Sequence, residues 1–356
     1  MTLLLLFTGL VALVAGAELL VRGASRLALA VGISPLVIGL TIVSYGTSTP
    51  ELAVALRATL AGQPDIVMGN AVGSTQFNVL FILGLSALLR PLKVAAHLVW
   101  REVPVLIGAA LLLLGVSLDG VIRWWEGLLL LGAYVAYAVF VVRKSRQEST
   151  AVKSEYEQEF GAPIRGRQIG VSVGLTVAGL VLCVLGARWC VDGAVQLARA
   201  LGLSELVIGL TVVAAGTSLP EMVTSLVAMA RGHRDIAVGN VIGASIYNAL
   251  ALVGLSGLIA PDGLAVARSV LTFDLPVMVA VSVACLPIFF TGHSISRWEG
   301  AVFLGYYVAY TGYLVLAAQQ HDALPVFSAM MLWFVIPLTV ITLGVITWRT
   351  AQRRSA

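Results

Sequence analysis

The chain has 356 residues, of which 59% are apolar and 11% charged, and its net charge is +4. Mean hydropathy is +0.97, and an ordinary soluble domain carries roughly 25% charged residues, so this chain lacks the polar surface to enclose a core of its own size. These figures exclude a soluble enzyme, a nucleic-acid binder and a disordered chain, and they turn most of the surface towards lipid.

Apolar stretches long enough to cross a bilayer as helices fall at about 1–21, 31–60, 64–89, 97–117 and 121–142. A polar stretch from Arg143 to Arg167 follows. Five more spans are predicted at about 168–189, 201–230, 235–260, 268–290 and 297–319, and an eleventh at about 325–348 with Pro337 inside it. The first stretch, MTLLLLFTGLVALVAGAELL, has the apolar character of a signal peptide but no basic residues at its start. Cys183, Cys190 and Cys285 lie in apolar runs with no CxxC or Cys/His cluster, so neither a disulfide framework nor a zinc site is indicated.

Lys and Arg set the orientation, because they accumulate on the cytoplasmic side. With the N-terminus outside and the spans threaded alternately, 17 of the 22 basic residues fall inside. The five left outside are Arg57, Arg123, Arg188, Arg199 and Arg268. The 144–167 loop and the basic tail WRTAQRRSA are then cytoplasmic.

The two halves repeat at an offset of 170. GISPLVIGLTIVSYGTSTPE at 32–51 matches GLSELVIGLTVVAAGTSLPE at 202–221, and DIVMGNAVGSTQFNVL at 65–80 matches DIAVGNVIGASIYNAL at 235–250. WEG at 125–127 and 298–300 is a weaker echo. Each repeat holds five spans, an odd number, so the halves insert upside down relative to one another. The turn Gly62-Gln63-Pro64 is neutral while Gly232-His233-Arg234 is basic, as opposite orientations require. The predicted fold is therefore an all-α integral membrane protein of ten core helices in two inverted five-helix repeats, 1–143 and 168–319. A loop at 144–167 joins them, and 320–356 adds an eleventh helix and a tail. The repeat also makes the first stretch a permanent helix. Inverted repeats of this kind build secondary transporters with the substrate near the midplane.

Glu51 and Glu221 lie deep within apolar runs, where an ionisable group is expensive and marks a pathway or binding site. Thr47, Ser48 and Glu51 are spaced i, i+1 and i+4, and Thr217, Ser218 and Glu221 repeat the spacing; positions three and four apart share a helix face, so each hydroxyl is expected beside its own glutamate. Pro50 and Pro220 remove an amide proton and displace the carbonyls of Gly46 and Gly216, so each span should break with carbonyls left free there. The next span of each half carries Asn70 and Asn78, or Asn240 and Asn248, with Ser74, Thr75 and Gln76, or Ser245, in between. Gly69, Gly73, Gly239 and Gly243 have the spacing that lets helices approach closely. Carboxylates, hydroxyls, amides and carbonyls are hard-oxygen ligands, suited to Na⁺ or Ca²⁺. Two glutamates in one dry pocket demand one Ca²⁺, two Na⁺ or protons, and competition among these is the basis of antiport.

GTSTPE…GNAVGSTQFN and GTSLPE…GNVIGASIYN together resemble the two α-repeats of the calcium/cation antiporter superfamily, in particular the prokaryotic sodium/calcium exchangers. The resemblance implies Na⁺/Ca²⁺ exchange in a prokaryotic inner membrane, with Ca²⁺ and Na⁺, or alternatively H⁺, as transported ions. It implies a diamond-like cluster of ion sites on the second, third, seventh and eighth helices, and a sliding movement of the first and sixth. Carried over residue by residue, the ligands would be Thr47, Ser48, Glu51, Ser74 and Asn78, then Thr217, Ser218, Glu221 and Asn248.

This chain departs from the family pattern. Asn248 stands where well-described exchangers have Asp, and Ala244 stands opposite Ser74. Ser-Thr and Ala-Ser follow the GNxxG glycines where Ser-Asn is common, and Gly73 or Gly243 replaces the acidic residue of the proton/calcium branch. The alternatives are a Ca²⁺ or other cation/H⁺ antiporter and, from another class, a cation channel, although pores usually need rings of several subunits or repeats. No HExxH, Ser/His/Asp or paired-Asp arrangement lies within the spans, so the chain is not expected to be an enzyme or to hold a cofactor. Its partners are inorganic cations and the lipid bilayer, with no nucleic acid, and the oligomeric state stays open.

Overall fold

The computed structural model describes residues 2–31, 34–94, 98–146, 167–200, 214–290 and 294–355. In chain order the helices are α1 (Thr2–Val31), α2 (Leu36–Thr47), α3 (Thr49–Leu60), α4 (Pro64–Leu89), α5 (Leu98–Val116) and α6 (Trp124–Lys144). They continue as α7 (Arg167–Ala200), α8 (Leu219–Ala230), α9 (Arg234–Ile259), α10 (Val270–Phe290), α11 (Arg297–Ala318) and α12 (Leu324–Ile346). Among the described residues, nine of these are long and apolar enough to cross a membrane, and the chain is an all-α integral membrane protein. The 147–166 part of the expected loop and residues 201–213 of the expected seventh span lie outside the described residues.

Two expected boundaries are corrected. The spans expected to end at 21 and 189 run on to Val31 and Ala200. Arg22, Arg26, Arg188 and Arg199 are exposed, and long basic side chains at a span's end reach water without breaking the helix. Arg22 is also held by Glu18 one turn earlier, and Glu18 takes Arg231 at the end of α8 at 2.7 Å. The span expected over 31–60 is two helices, α2 and α3, parted at Ser48.

Burial sorts the helices into layers. In α9 94% of the most apolar window is buried and in α4 72%, against 6% in α11 and α12. The centre of the molecule is thus α4 and α9, and α11 and α12 are peripheral. Gly239 and Gly243 let α9 lie on α2, since a Cβ there would stand 2.7 and 2.5 Å from the Leu36 and Leu40 carbonyl oxygens. Without glycine the two backbones could not approach so closely. α12 attaches through Tyr306, whose hydroxyl donates to Thr339 Oγ1 at 2.7 Å.

The WEG echo has a structural meaning. Glu126 Oε2 accepts from the Arg123 amide at 2.7 Å, and Glu299 Oε2 from the Ser296 amide at 2.7 Å, so each glutamate caps its helix N-terminus. A Cβ on Gly127 would meet the Gly254 carbonyl oxygen at 2.6 Å, and one on Gly300 the Gly84 carbonyl oxygen at 2.6 Å. Two short antiparallel ribbons join distant parts of the chain. Leu92–Lys93 pairs with Ser294–Ile295, and Val121–Ile122 with Leu264–Ala265. The turns α3–α4 and α8–α9 pass through Gly62 (φ 66) and Gly232 (φ 89), a backbone region in which side chains are strained.

Candidate cation-binding site

The breaks in the chain organise the site. Ser48 has φ −83 and ψ 9, Ser218 has φ −91 and ψ 9, and at both the backbone departs from helical ψ, although the Ser48 amide still bonds the Ser44 carbonyl at 2.9 Å. Pro50 and Pro220 sit in the first turn of α3 and α8, where a missing amide proton costs nothing. Glu51 and Glu221 are in the same first turns, so each carboxylate stands at the positive end of a helix dipole inside the protein. The Gly46 carbonyl oxygen accepts a backbone N–H at the cap, which leaves its second lone pair for an ion.

The break also changes which partners meet. Ser48 Oγ donates to Glu221 Oε1 at 2.8 Å, and Ser218 Oγ donates to Glu51 Oε1 at 3.0 Å. Each serine therefore serves the glutamate of the other half, and not its own as a continuous helix would have it. Glu51 is 0% exposed and Glu221 1%. Thr47 Oγ1 bonds Asn240 Oδ1 at 3.2 Å and the carbonyls of its own helix. Asn70 Nδ2 donates to the Glu51 carbonyl at 2.9 Å, and Asn240 Nδ2 to the Glu221 carbonyl at 3.3 Å. These two asparagines are positioning residues that tie α3 to α4 and α8 to α9.

The remaining polar atoms are conspicuous for what they lack. Glu51 Oε2, Glu221 Oε2 and both amide atoms of Asn78 and Asn248 are buried without a hydrogen-bond partner. Buried polar groups are almost always paired, so this set calls for a ligand. Asn78 and Asn248 lie in π-helical turns at Phe77–Ile82 and Tyr247–Leu252, a distortion common at functional sites and without a sequence signature in this chain. Ser74 is buried and bonds Asn70 Oδ1 at 3.4 Å, whereas Thr217 lies further out, on a cavity wall. Thr75 and Ser245 bond carbonyls of their own helices and take no part.

The free oxygens come from carboxylates and amides, the hard set that fits Na⁺ or Ca²⁺. Among the described residues no group of three or more His, Cys, Asp or Glu gathers as a transition-metal site would require. Fold and site define an α-helical membrane protein with a buried two-carboxylate pocket at a pair of helix breaks.

The chain belongs to the sodium/calcium exchanger protein family, whose model matches residues 1–143 and 171–316. It is 40% identical over 284 residues to the inner membrane protein YrbG of Escherichia coli (strain K12), covering 78% of this chain and 86% of that one. It is 34% identical over 339 residues to the sodium/calcium exchanger MaX1 of Methanosarcina acetivorans, covering 86% and 96%. Solved structures of the sodium-calcium exchanger NCX_Mj superpose with a TM-score of 0.73 at 31% identity, over 86% of this chain and 96% of that one.

Proposed function

We propose that this protein exchanges Na⁺ for Ca²⁺ across the membrane by alternating access, with Glu51 and Glu221 carrying the charge of the site. The observation that carries this reading is the set of unpartnered buried oxygens on Glu51, Glu221, Asn78 and Asn248. Ser48, Ser218, Ser74, Thr47, Thr217 and the carbonyls of Gly46 and Gly216 complete the proposed ligand set. An empty pocket of two carboxylates is costly to carry across a bilayer and a filled one is nearly neutral, which favours exchange over leak. The test is reconstitution in liposomes with radiolabelled Ca²⁺. Uptake driven by an outward Na⁺ gradient is expected. Uptake driven by a proton gradient with no Na⁺ would assign a Ca²⁺/H⁺ antiporter.

Two inverted five-helix halves, 1–143 and 168–319, account for contacts that recur at an offset of 170: Ser48 to Glu221 with Ser218 to Glu51 between the halves, and Asn70 to Glu51 with Asn240 to Glu221 within them. The N-terminus is then outside and the 144–167 loop and tail cytoplasmic. A cysteine placed at Ser149 in a cysteine-free background should react with an impermeant thiol reagent in inside-out vesicles only. Labelling from outside intact cells would overturn the threading.

With Asn at both 78 and 248, the pocket needs about two positive charges, which permits two Na⁺ against one Ca²⁺ without net charge movement. Calcium flux in vesicles clamped with K⁺ and valinomycin should depend weakly on membrane potential. Asn248→Asp, nearly isosteric, adds a charge and should make the dependence steeper. A steep dependence in the wild type would break the charge count.

A further inference from the structure

A third carboxylate lies within the spans and belongs to neither repeat motif. Asp274 ends a π-helical turn, Val270–Asp274, at the start of α10. It is half-buried, and no ion pair among the described residues involves it. An unneutralised carboxylate inside an apolar span marks a pathway by default.

Its surroundings are built and rigid. Tyr310 on α11 donates its hydroxyl to Asp274 Oδ1 at 2.8 Å. The Tyr310 ring stacks on Phe273 with centroids 6.1 Å apart and planes 8° apart. Gln76 Nε2 donates to the Asp274 carbonyl at 3.1 Å, which fixes α10 against α4 two residues before Asn78. Asp274 and Tyr310 line a cavity of about 490 Å³ together with Asn70, Ser74 and Thr217. The cavity thus runs from Asp274 to residues of the proposed ligand set. It also reaches Ile66, just past the turn at Gly62, so it opens on the face that the charge bias places outside. A comparable pair elsewhere is more deeply buried. Tyr137 donates to Glu102 Oε2 at 2.6 Å at the start of α5, and Glu102 is only 5% exposed.

We propose that Asp274 and Tyr310 form an outer cation station, at which a hard cation, Na⁺ or Ca²⁺, sheds part of its water before passing inward along the Ser74–Thr217 wall. Asp274 supplies the charge and its second oxygen. The tyrosine hydroxyl holds the first oxygen by donation and keeps lone pairs for the ion. A charged group in a low-dielectric cleft raises the local concentration of its counter-ion, so the station acts on capture and not on the exchange step. The repeat supplies its counterpart at a slightly longer offset: Glu102 ends the π-helical turn Leu98–Glu102 as Asp274 ends Val270–Asp274, and Tyr137 donates to it as Tyr310 does to Asp274. What sets Asp274 apart is its exposure to the cavity.

The station presupposes exchange at Glu51 and Glu221, and its test separates the two. Initial Ca²⁺ flux is measured against Ca²⁺ concentration in right-side-out and in inside-out vesicles, for the wild type, Asp274→Asn, Asp274→Glu and Tyr310→Phe. Asp274→Asn should raise the apparent KM by about three- to tenfold in right-side-out vesicles and leave it within about twofold in inside-out ones. Asp274→Glu should recover most of the loss, and Tyr310→Phe should shift KM in the same direction by less. Repeating the series with Na⁺ as the varied ion identifies which cation the station captures. An unchanged KM in both orientations, or an equal change in both, overturns the station. Absence of Ca²⁺ flux in the wild type overturns the exchange reading instead. Should Asp274→Asn fail to reach the membrane, the one-sided KM shift of Tyr310→Phe decides the matter.

Discussion

Glu51→Gln and Glu221→Gln are each expected to abolish Ca²⁺ exchange in a protein that still assembles. Glutamine keeps the shape of glutamate and an oxygen to accept the bond from Ser218 or Ser48, now 3.0 and 2.8 Å from the carboxylates. What it removes is one of two negative charges in a pocket where both side chains are about fully buried. A divalent ion would then sit in a dry site with uncompensated charge, and removing one partner of a buried charge pair costs about 3–5 kcal/mol. That corresponds to a loss of more than about a hundredfold in affinity, enough to silence flux at ordinary Ca²⁺ concentrations. Thermal unfolding gives a second readout. Without cations the variants should melt at or above the wild type, because two buried carboxylates no longer repel. With Ca²⁺ the wild type alone should gain stability, since only a binding-competent native state is stabilised by a ligand. Wild-type flux, or Ca²⁺ stabilisation of both variants, would remove Glu51 and Glu221 from the site.

Much of the site was legible because its parts are chemically out of place. A glutamate in an apolar run, a proline one residue before it and the recurrence of both 170 positions later need no coordinates to be noticed. The break at Ser48 was likewise legible from Pro50 and Gly46, but its consequence was not. Helical spacing puts Ser48 beside Glu51, and only the relative placement of α2 and α8 reveals that it bonds Glu221. The asparagines divide the same way. Asn70 and Asn78 look alike in the sequence, yet one holds a backbone carbonyl and the other has no partner. The difference arises from the π-turn at Phe77–Ile82, which no residue pattern announces. The helix ends at Val31 and Ala200 are not legible in the sequence, because charge marks only the end of the apolar layer and not the end of the helix. Asp274 and its counterpart Glu102 lie outside the long matching motifs, at an offset of 172 and with different acidic side chains, so the sequence pattern does not single them out.

Alanine in the seam between α1 and α7 should be the most damaging small substitution outside the site. Gly9, Gly16 and Gly23 on α1, and Gly179, Gly186 and Gly193 on α7, recur every seven residues and face one another. A Cβ on Gly179 would stand 2.4 Å from the Leu20 amide nitrogen, one on Gly186 2.6 Å from that of Leu13, and one on Gly16 2.7 Å from that of Cys183. These are backbone atoms, so no rotamer change can relieve the clash and the helices must part. In lipid the apolar surfaces of two helices gain little by meeting, and close packing itself holds them together. Overpacking of this kind costs about 1–3 kcal/mol per site. Gly16→Ala with Gly179→Ala should therefore lower the melting temperature of the purified protein by several degrees and cut exchange in proportion to the loss of folded protein or further. The comparison is Gly170→Ala with Gly174→Ala, on the exposed face of the same α7, where an added Cβ meets nothing within 4 Å. That pair should leave exchange intact and raise stability slightly, because alanine favours a helix over glycine by about 0.5–1 kcal/mol. If the two double variants melt together, the seam does not hold α1 to α7, and its seven-residue spacing is without structural consequence. If the seam variant melts early while the exposed pair does not, the heptad of glycines is what sets the distance between α1 and α7.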